Sequence, residues 1–310
     1  MDLAYNAYNP LQAVDARTQL AGANKMEILL FSLGSSETFG MNVFKIREVT
    51  KTPKITLTPN MHPAVEGIIS LRGNIIPVLN LKTFFNLTDT GIGETMIVTE
   101  FSGQTQGFLV HSVDRIMHLD WDRIKSPEGM IANEELVTAI TELEDGRLVS
   151  IPDVEQILVS AFGMPNIPAL DPADAPAESE IFFADDSLVA RKEIVQVLER
   201  LGVKYLQAVN GKEAWEKLQA IATQGAAEGS ALHKKLKLIL TDAEMPEMDG
   251  YVLTRNIKSD ARFSGIPVIM HSSLSSEANK TMGKAVGVDN YVSKFDPQVL
   301  ADTLRPYLER

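Results

Sequence analysis

The run Leu238-Ile239-Leu240-Thr241-Asp242-Ala243-Glu244-Met245-Pro246-Glu247-Met248-Asp249-Gly250 constrains this chain more than any other stretch. A short apolar segment ends in an acid, and a turn rich in Met and Pro leads into a new helix at Tyr251. Such a run reads as a parallel strand buried on both faces that delivers its last residue to the carboxyl edge of an α/β sheet. Ligands of these sheets bind in the crevice at that edge. One acid at a strand end says little, because Asp is common in turns. Three more strand-like runs lead into polar residues. Residues 181–184 precede Asp185-Asp186, residues 266–271 precede Ser272-Ser273, and residues 288–292 precede Ser293-Lys294. Strands ending side by side would gather three carboxylates, a hydroxyl and an ammonium. Acids that close raise one another's pKa unless a cation joins them. An all-oxygen site of this kind suits Mg²⁺, which takes few carboxylates and leaves its other positions to water and phosphate oxygens. A lysine and a hydroxyl opposite the metal serve a developing phosphoryl group. The pattern reads as an aspartate that accepts phosphate.

Residues 181–310 resemble the response-regulator receiver domain, and the resemblance implies a role for each matching position. Asp242 corresponds to the phosphoacceptor, Asp185 and Asp186 to the acid pair that holds Mg²⁺, and the Glu244 backbone carbonyl to a further metal ligand. Ser272 corresponds to the switch hydroxyl, Lys294 to the family's lysine and Tyr291 to the rotating aromatic of the switch. The alternative for Tyr291 is an ordinary core aromatic. The sequence departs from the family at Phe295, where a proline is common, and at Ser273, where a smaller residue is usual. Neither change removes a group that the chemistry needs.

At 310 residues the chain has room for two cores. It contains no cysteine, which excludes disulfides, thiol catalysis and thiolate metal sites. The first residues carry no basic apolar leader, and no run reaches membrane-span length, so a cytoplasmic protein without membrane insertion is expected. The net charge is −12. Residues 1–180 hold 12 Lys/Arg against 24 Asp/Glu, while residues 181–310 hold 17 of each. The acidic excess therefore lies in the first part, which argues against nucleic acid as a partner.

Residues 1–24 form an Ala-rich polar arm that fits a short helix or an unstructured segment equally. From Glu27 the texture changes to alternating strands over residues 28–33, 39–49, 67–71, 74–81, 96–101 and 106–119. Another pair, 136–143 and 147–151, is joined by Glu144-Asp145-Gly146, a hairpin signal. Short strands with little helix predict a barrel-like or sandwich β domain. His62, His111 and His118 lack acidic neighbours at metal-ligand spacing, and Gly91-Ile92-Gly93 does not sit between a strand and a helix. The domain reads as a binding module.

The carrying residues here are Phe44-Lys45-Ile46-Arg47-Glu48-Val49 and the longer stretch 65–81, which contains Leu71-Arg72-Gly73-Asn74. On them, residues 25–160 resemble the CheW coupling domain of bacterial chemotaxis, which implies an all-β fold of paired small barrels. Gly73 is suited to the positive φ of a tight turn, and Arg72 is then pushed outward at its tip. The resemblance places positions matching Glu48 and Arg72 on surfaces that bind receptors and the kinase. The alternative for Arg72 is a salt bridge that stabilises its own loop.

Residues 161–180 carry four prolines among repeated Ala and Asp and are expected to be an extended linker with no packed element. Beyond them strands and helices alternate. Ser187 before a helix stopped by Gly202, Asn210 with Glu213 as a capping box, and Asp296-Pro297 before the last helix are start and stop signals. Residues 224–235 read as a long mobile connection. Five βα units predict a doubly wound, flavodoxin-like sheet.

Both halves together are similar to the CheV type of chemotaxis protein. That resemblance implies an adaptor coupling the cytoplasmic tips of chemoreceptors to a histidine kinase, which is also the phosphodonor. It implies a phosphoacceptor and scaffold, not an enzyme, recruited to polar or membrane-associated receptor arrays by protein contacts. Phosphate on Asp242 is expected to draw Ser272 inward and let Tyr291 rotate, altering the receiver surface near the last strand. Two other readings stand beside it: a phosphate sink that drains the kinase, and an aspartyl-phosphate phosphatase or phosphotransferase with Glu244 as its acid/base.

Overall fold

The computed structural model describes residues 25–309 except 88–92, 102–103, 128–135, 165, 228–231 and 274–276. The arm at 1–24, Gly91-Ile92 and the middle of the 224–235 connection lie outside the described residues.

Alternating apolar residues build two five-stranded sheets in the first domain. One contains β1 (Lys25–Ser32) and β2 (Thr38–Asn42); the other begins with β3 (Ile46–Lys51) and continues through β4 (Val65–Leu71) and β5 (Asn74–Asn80). A one-turn helix α1 (Leu81–Phe84) precedes β6 (Thr95–Phe101) and β7 (Gln104–Val110). The chain then returns to the first sheet with β8 (Ser112–Asp120), β9 (Val137–Glu142) and β10 (Leu148–Pro152). The orders are β8-β1-β2-β10-β9 and β3-β6-β7-β5-β4. Each sheet has its own apolar core, around Ile28, Leu30 and Trp121 in one and Ile76, Val78 and Val98 in the other. A third core, with Phe31, Phe39, Leu79 and Phe108, joins them. This is the paired arrangement that the coupling-domain resemblance implied.

Two expected strands are broken. Residues 39–49 split into β2 and β3 because Asn42 accepts a hydrogen bond from Phe44 N at 2.9 Å through Oδ1, capping a single 3₁₀ turn over Val43–Lys45. Residues 106–119 split at His111, whose N–H crosses to Ser32 O at 2.9 Å. The Leu71–Asn74 hairpin closes on two residues with positive φ, Arg72 at 51° and Gly73 at 87°. That is the geometry of a type I′ turn, which matches the twist of the flanking strands.

The helix α2 (Val154–Phe162), which ends the first domain, is not among the expected elements. Asp153 caps it, accepting from Gln156 N at 2.9 Å, while Val154 and Ile157 enter the shared core. Glu155 is thereby turned off the first domain's own core.

The linker departs from expectation. Its ends belong to α2 and to the strand that opens at Glu180; the described residues between 163 and 179 form no helix or strand, but they are packed. Ile167 is buried in the receiver core, Arg200 donates to the carbonyls of Ile167 and Pro168, and Arg305 donates to those of Asp171 and Pro172. Prolines give up N–H donors but keep their carbonyls, so an extended Pro-rich strap remains a good acceptor.

The receiver follows as β11 (Glu180–Ala184), α3 (Leu188–Leu201), β12 (Lys204–Ala208), α4 (Gly211–Ala227), α5 (Leu232–Lys235) and β13 (Leu236–Thr241). It ends with α6 (Gly250–Ser259), β14 (Val268–Ser272), α7 (Glu277–Val286), β15 (Asn290–Ser293) and α8 (Pro297–Leu308). All neighbours in the order β12-β11-β13-β14-β15 are parallel. Phe182 and Phe183 enter opposite cores, which explains the unbroken apolar run of β11. The capping signals act as read: Ala190 N donates to Ser187 Oγ, Glu213 N to Asn210 Oδ1 and Val299 N to Asp296 Oδ1. Gly202 ends α3 in the left-handed region. Trp215 packs on Phe263 as core. The connection at 224–235 is helical up to Ala227 and again over α5, which corrects the expected loop.

Candidate functional site

Parallel pairing in register brings the strand ends together. Ala184 pairs with Thr241, Thr241 with Met270, and Ser272 with Ser293, so the residues that follow each strand meet at one edge. Asp185, Asp186 and Asp242 place carboxylate oxygens within 4.8 Å of one another. Lys294 Nζ lies 3.0 Å from Asp242 Oδ2 and 2.9 Å from Asp185 Oδ2. Asp242 Oδ1 accepts from Ala243 N at 2.6 Å, which fixes the carboxylate plane and leaves Oδ2 on the ammonium. Ser272 is buried beside the pocket, and Tyr291 reaches it by a hydroxyl contact while lying 3.3 Å from the Tyr251 hydroxyl. Each receiver residue singled out in the sequence thus sits in or next to one pocket.

Burial governs the electrostatics. It raises the Asp242 carboxyl well above the ordinary range, Asp185 and Asp186 add to the rise, and Lys294 opposes it. Asp186 is pushed up to about 6 by burial, against the pull of Lys294. Burial also acts on Asp185, but there Lys294 and His271 win and the carboxyl falls below its usual value. His271, fully buried with Nδ1 3.8 Å from Asp185 Oδ2, is driven toward its neutral form by burial. Two buried acids and the half-buried Asp186, held against one ammonium, are short of positive charge. Their donors are all hard oxygens, and the residues fit a divalent cation such as Mg²⁺.

Across the pocket mouth stand residues that the sequence did not single out. Glu155 Oε1 of α2 lies 3.3 Å from Lys294 Nζ, and both side chains are buried. The Asn42 amide, its Oδ1 already used as a cap, donates to Glu244 Oε1. Lys45 is drawn well into its charged form: burial opposes this, but Glu155, Glu244 and Asp186 outweigh it. Trp121 O accepts from Glu247 N at 3.1 Å. Phe295 packs its ring 5.3 Å from Phe101 and joins the first domain's shared core. The Phe at the position where receivers commonly have proline is therefore a contact between the domains. Glu244, whose side chain faces Asn42, is pushed up to about 7 by burial.

The remaining residues singled out lie elsewhere. Arg72 pairs with Glu48 Oε2 at 2.5 Å, joining edge strand β3 to the turn that follows the other edge strand, β4, with the Arg72 side chain 75% exposed. The two are neighbours on one surface, and the ion pair is not confined to the Arg72 loop. His118 pairs with Glu27 across β8 and β1, and His62 stacks on Phe84. Among the described residues, the acid cluster at Asp185, Asp186 and Asp242 is the one with metal-ligand geometry.

Behind the pocket, Glu193 of α3 is 1% exposed and neither carboxylate oxygen has a hydrogen-bond partner. Burial pushes it up to about 8 from an ordinary 4.5. A carboxyl raised in the folded state contributes stability that is complete below pH 4.5 and is lost as pH rises through about 8. Each unit in that window costs about 1.4 kcal/mol at most. Glu193→Gln should flatten the fall of Tm between pH 4.5 and about pH 8. Parallel curves for the two proteins would contradict this.

A β module followed by an α/β domain with a phosphate-type acid pocket defines a two-domain signalling protein. Residues 27–162 match the CheW-like domain family, and residues 181–305 match the response regulator receiver domain family. The chain is 30% identical over 326 residues to the chemotaxis protein CheV1 of Helicobacter pylori, covering 96% of this chain and 98% of that one. It is 32% identical over 280 residues to CheV3 of the same organism, covering 88% and 89%. A solved structure, the scaffolding protein TtCheW of Thermoanaerobacter tengcongensis, is similar at 31% identity and a TM-score of 0.41, covering 44% of this chain and 90% of that one. The chain belongs to the CheV family of chemotaxis proteins: it is a coupling adaptor that carries a receiver domain.

Proposed function

We propose that the first domain links chemoreceptor tips to a chemotaxis histidine kinase, and that phosphate accepted on Asp242 sets the strength of that link. The observation that carries this is Lys294, whose ammonium contacts Asp242, Asp185 and, from the coupling domain, Glu155. A change of charge at the acceptor is felt directly by the module that binds partners.

The chemistry follows from the pocket. Asp242 Oδ2 attacks phosphorus in a phosphohistidine or small acyl phosphate. The new acyl-phosphate bond forms as the bond to the donor's nitrogen or oxygen breaks, and the donor departs with the bonding pair. Lys294 balances the transferred oxygens' charge, and the Ser272 hydroxyl donates to one of them. Mg²⁺ held by Asp185, Asp186, Asp242 and the Glu244 carbonyl would supply the further positive charge that phosphoryl transfer needs. Glu244 faces Asn42 with its carboxylate, which leaves it engaged away from an acid/base role. A phosphoacceptor and scaffold accounts for the site better than a turnover enzyme.

Kinase activity in reconstituted receptor arrays, with this protein phosphorylated and unphosphorylated, is the test. A difference is expected. Equal activities with Asp242 shown to carry phosphate would leave the sink reading in its place. Steady hydrolysis of an added phosphomonoester would favour the enzyme.

Glu48 and Arg72 are the proposed partner contacts. Arg72→Glu should weaken receptor or kinase binding markedly and leave Tm nearly unchanged, because an exposed ion pair contributes little to stability while a reversed charge disfavours a bidentate contact. Wild-type affinity in a calorimetric titration would remove Arg72 from the interface. No helix among the described residues is long and apolar enough to cross a membrane. Recruitment to receptor arrays through these protein contacts is part of the proposal.

A further inference from the structure

The two domains meet at the mouth of the phosphorylation pocket. We propose that the face built from Asn42, Lys45, Trp121 and the first turn of α2 is a docking surface for that pocket. Glu155 there occupies the anion position on Lys294 that a phosphoryl group on Asp242 would claim. Docking and phosphorylation then exclude one another. The inference rests on Asp242 being the phosphoacceptor and adds what the phosphate must displace.

Four observations carry it. Lys294 Nζ is 3.0 Å from Asp242 Oδ2 and 3.3 Å from Glu155 Oε1, so the acceptor and the other domain's carboxylate share one cation. The Asn42–Glu244 hydrogen bond and the Trp121 O to Glu247 N bond clamp the loop that follows Asp242. Phe101 and Phe295 close an apolar contact next to Lys294. Asp242 is 5% exposed and Lys294 1% exposed. A donor protein carrying a phosphohistidine cannot reach an oxygen that is covered in this way.

A phosphoryl group adds about −1.5 to −2 charges and three acceptor oxygens. Placed on Asp242 it faces the Glu155 carboxylate over a single buried ammonium. Like charges in such a site repel strongly, and the side that can leave is the docked domain. By reciprocity, whatever holds the domains together disfavours the phosphorylated state, and a partner that binds the freed face of the first domain favours it. The docking face includes Asn42, which is buried against the receiver and becomes available when the receiver departs.

The native chain has no cysteine, so two can be introduced on exposed sites, Leu148→Cys and Leu206→Cys, to carry spin labels on the two domains of the full chain. Phosphate on Asp242 is read by intact mass, with Asp242→Asn as the reference, and the interdomain distance by electron–electron resonance. With acetyl phosphate and Mg²⁺ the distance distribution should lengthen and broaden. Glu155→Gln, which keeps shape and removes charge, should lengthen part of the distribution without phosphate and speed phosphate uptake several-fold. Far-UV circular dichroism verifies that this variant is folded. Unchanged distances with phosphate verified on Asp242 would overturn the docking proposal and leave the acceptor assignment intact. Phosphate persisting in Asp242→Asn, or no uptake by either the wild type or Glu155→Gln, would overturn the acceptor assignment and the docking proposal with it. Uptake by Glu155→Gln alone would show the docked state to be a complete block.

Discussion

Asp242→Asn should abolish phosphate uptake from acetyl phosphate, leaving the intact mass unchanged where the wild type gains one phosphoryl group. The amide has the size of the carboxylate and can still accept from Ala243 N, which in the wild type lies 2.6 Å from Oδ1. What it lacks is the anionic Oδ2 that faces Lys294 at 3.0 Å and would attack phosphorus. The variant also removes one of three crowded acids, so the fold should gain stability as the chemistry is lost. That opposite movement separates a missing nucleophile from a damaged domain. Lys294→Ala should leave the nucleophile but slow uptake about 10²–10³-fold, the usual cost of removing a preorganised charge at a transition state. Asp186→Ala should shift the Mg²⁺ requirement to higher concentration. Phosphate found on another residue of Asp242→Asn would mean that the pocket is not the acceptor.

The pocket was legible because each of its parts follows a short strand-like run, and parallel strands in register bring such endings to one edge. Local rules were sufficient there: strand, turn, cap. The contact between domains obeys no local rule. Glu155 meets a lysine 139 residues away, and Asn42 meets an acid 202 residues away. Nothing in the spacing around Glu155 distinguishes it from a solvated acid in a first helical turn. Phe295 was visible as a departure from the family, but its meaning required its partner, Phe101. The linker misled for a related reason. Proline composition rules out helix and sheet hydrogen bonding, yet says nothing about carbonyls waiting for Arg200 and Arg305. The strands that broke at Asn42 and His111 did so through single hydrogen bonds whose partners lie in the loop or on the neighbouring strand.

Gly250→Ala should destabilise the receiver and impair phosphate uptake together, although it replaces one small residue by another. Gly250 opens α6, and a Cβ built there would stand 1.9 Å from Asp242 O and 2.9 Å from the carbon that bears it. Alanine is the better helix former by about 1 kcal/mol and restricts the unfolded chain, and both effects favour the variant. Sterics decide the outcome. The opposing atom is backbone and belongs to the acceptor residue, so no side chain can swing aside. Relief requires α6 to back away from the end of β13. That movement stretches the Gly250 N to Ala243 O bond, now 3.0 Å, and disturbs the cap in which Asp249 Oδ1 accepts from Val252 N at 2.7 Å. Overpacking of this sort costs about 1–3 kcal/mol and more where the backbone must shift. The same shift moves Asp242 relative to Lys294, and small displacements at a phosphoryl-transfer site are costly in rate. The expected result is a lower Tm for the receiver transition together with slower uptake from acetyl phosphate. A variant with unchanged Tm and unchanged rate would show that the turn from Asp242 to Gly250 tolerates a side chain, and that the close approach of α6 to the acceptor is not what positions it.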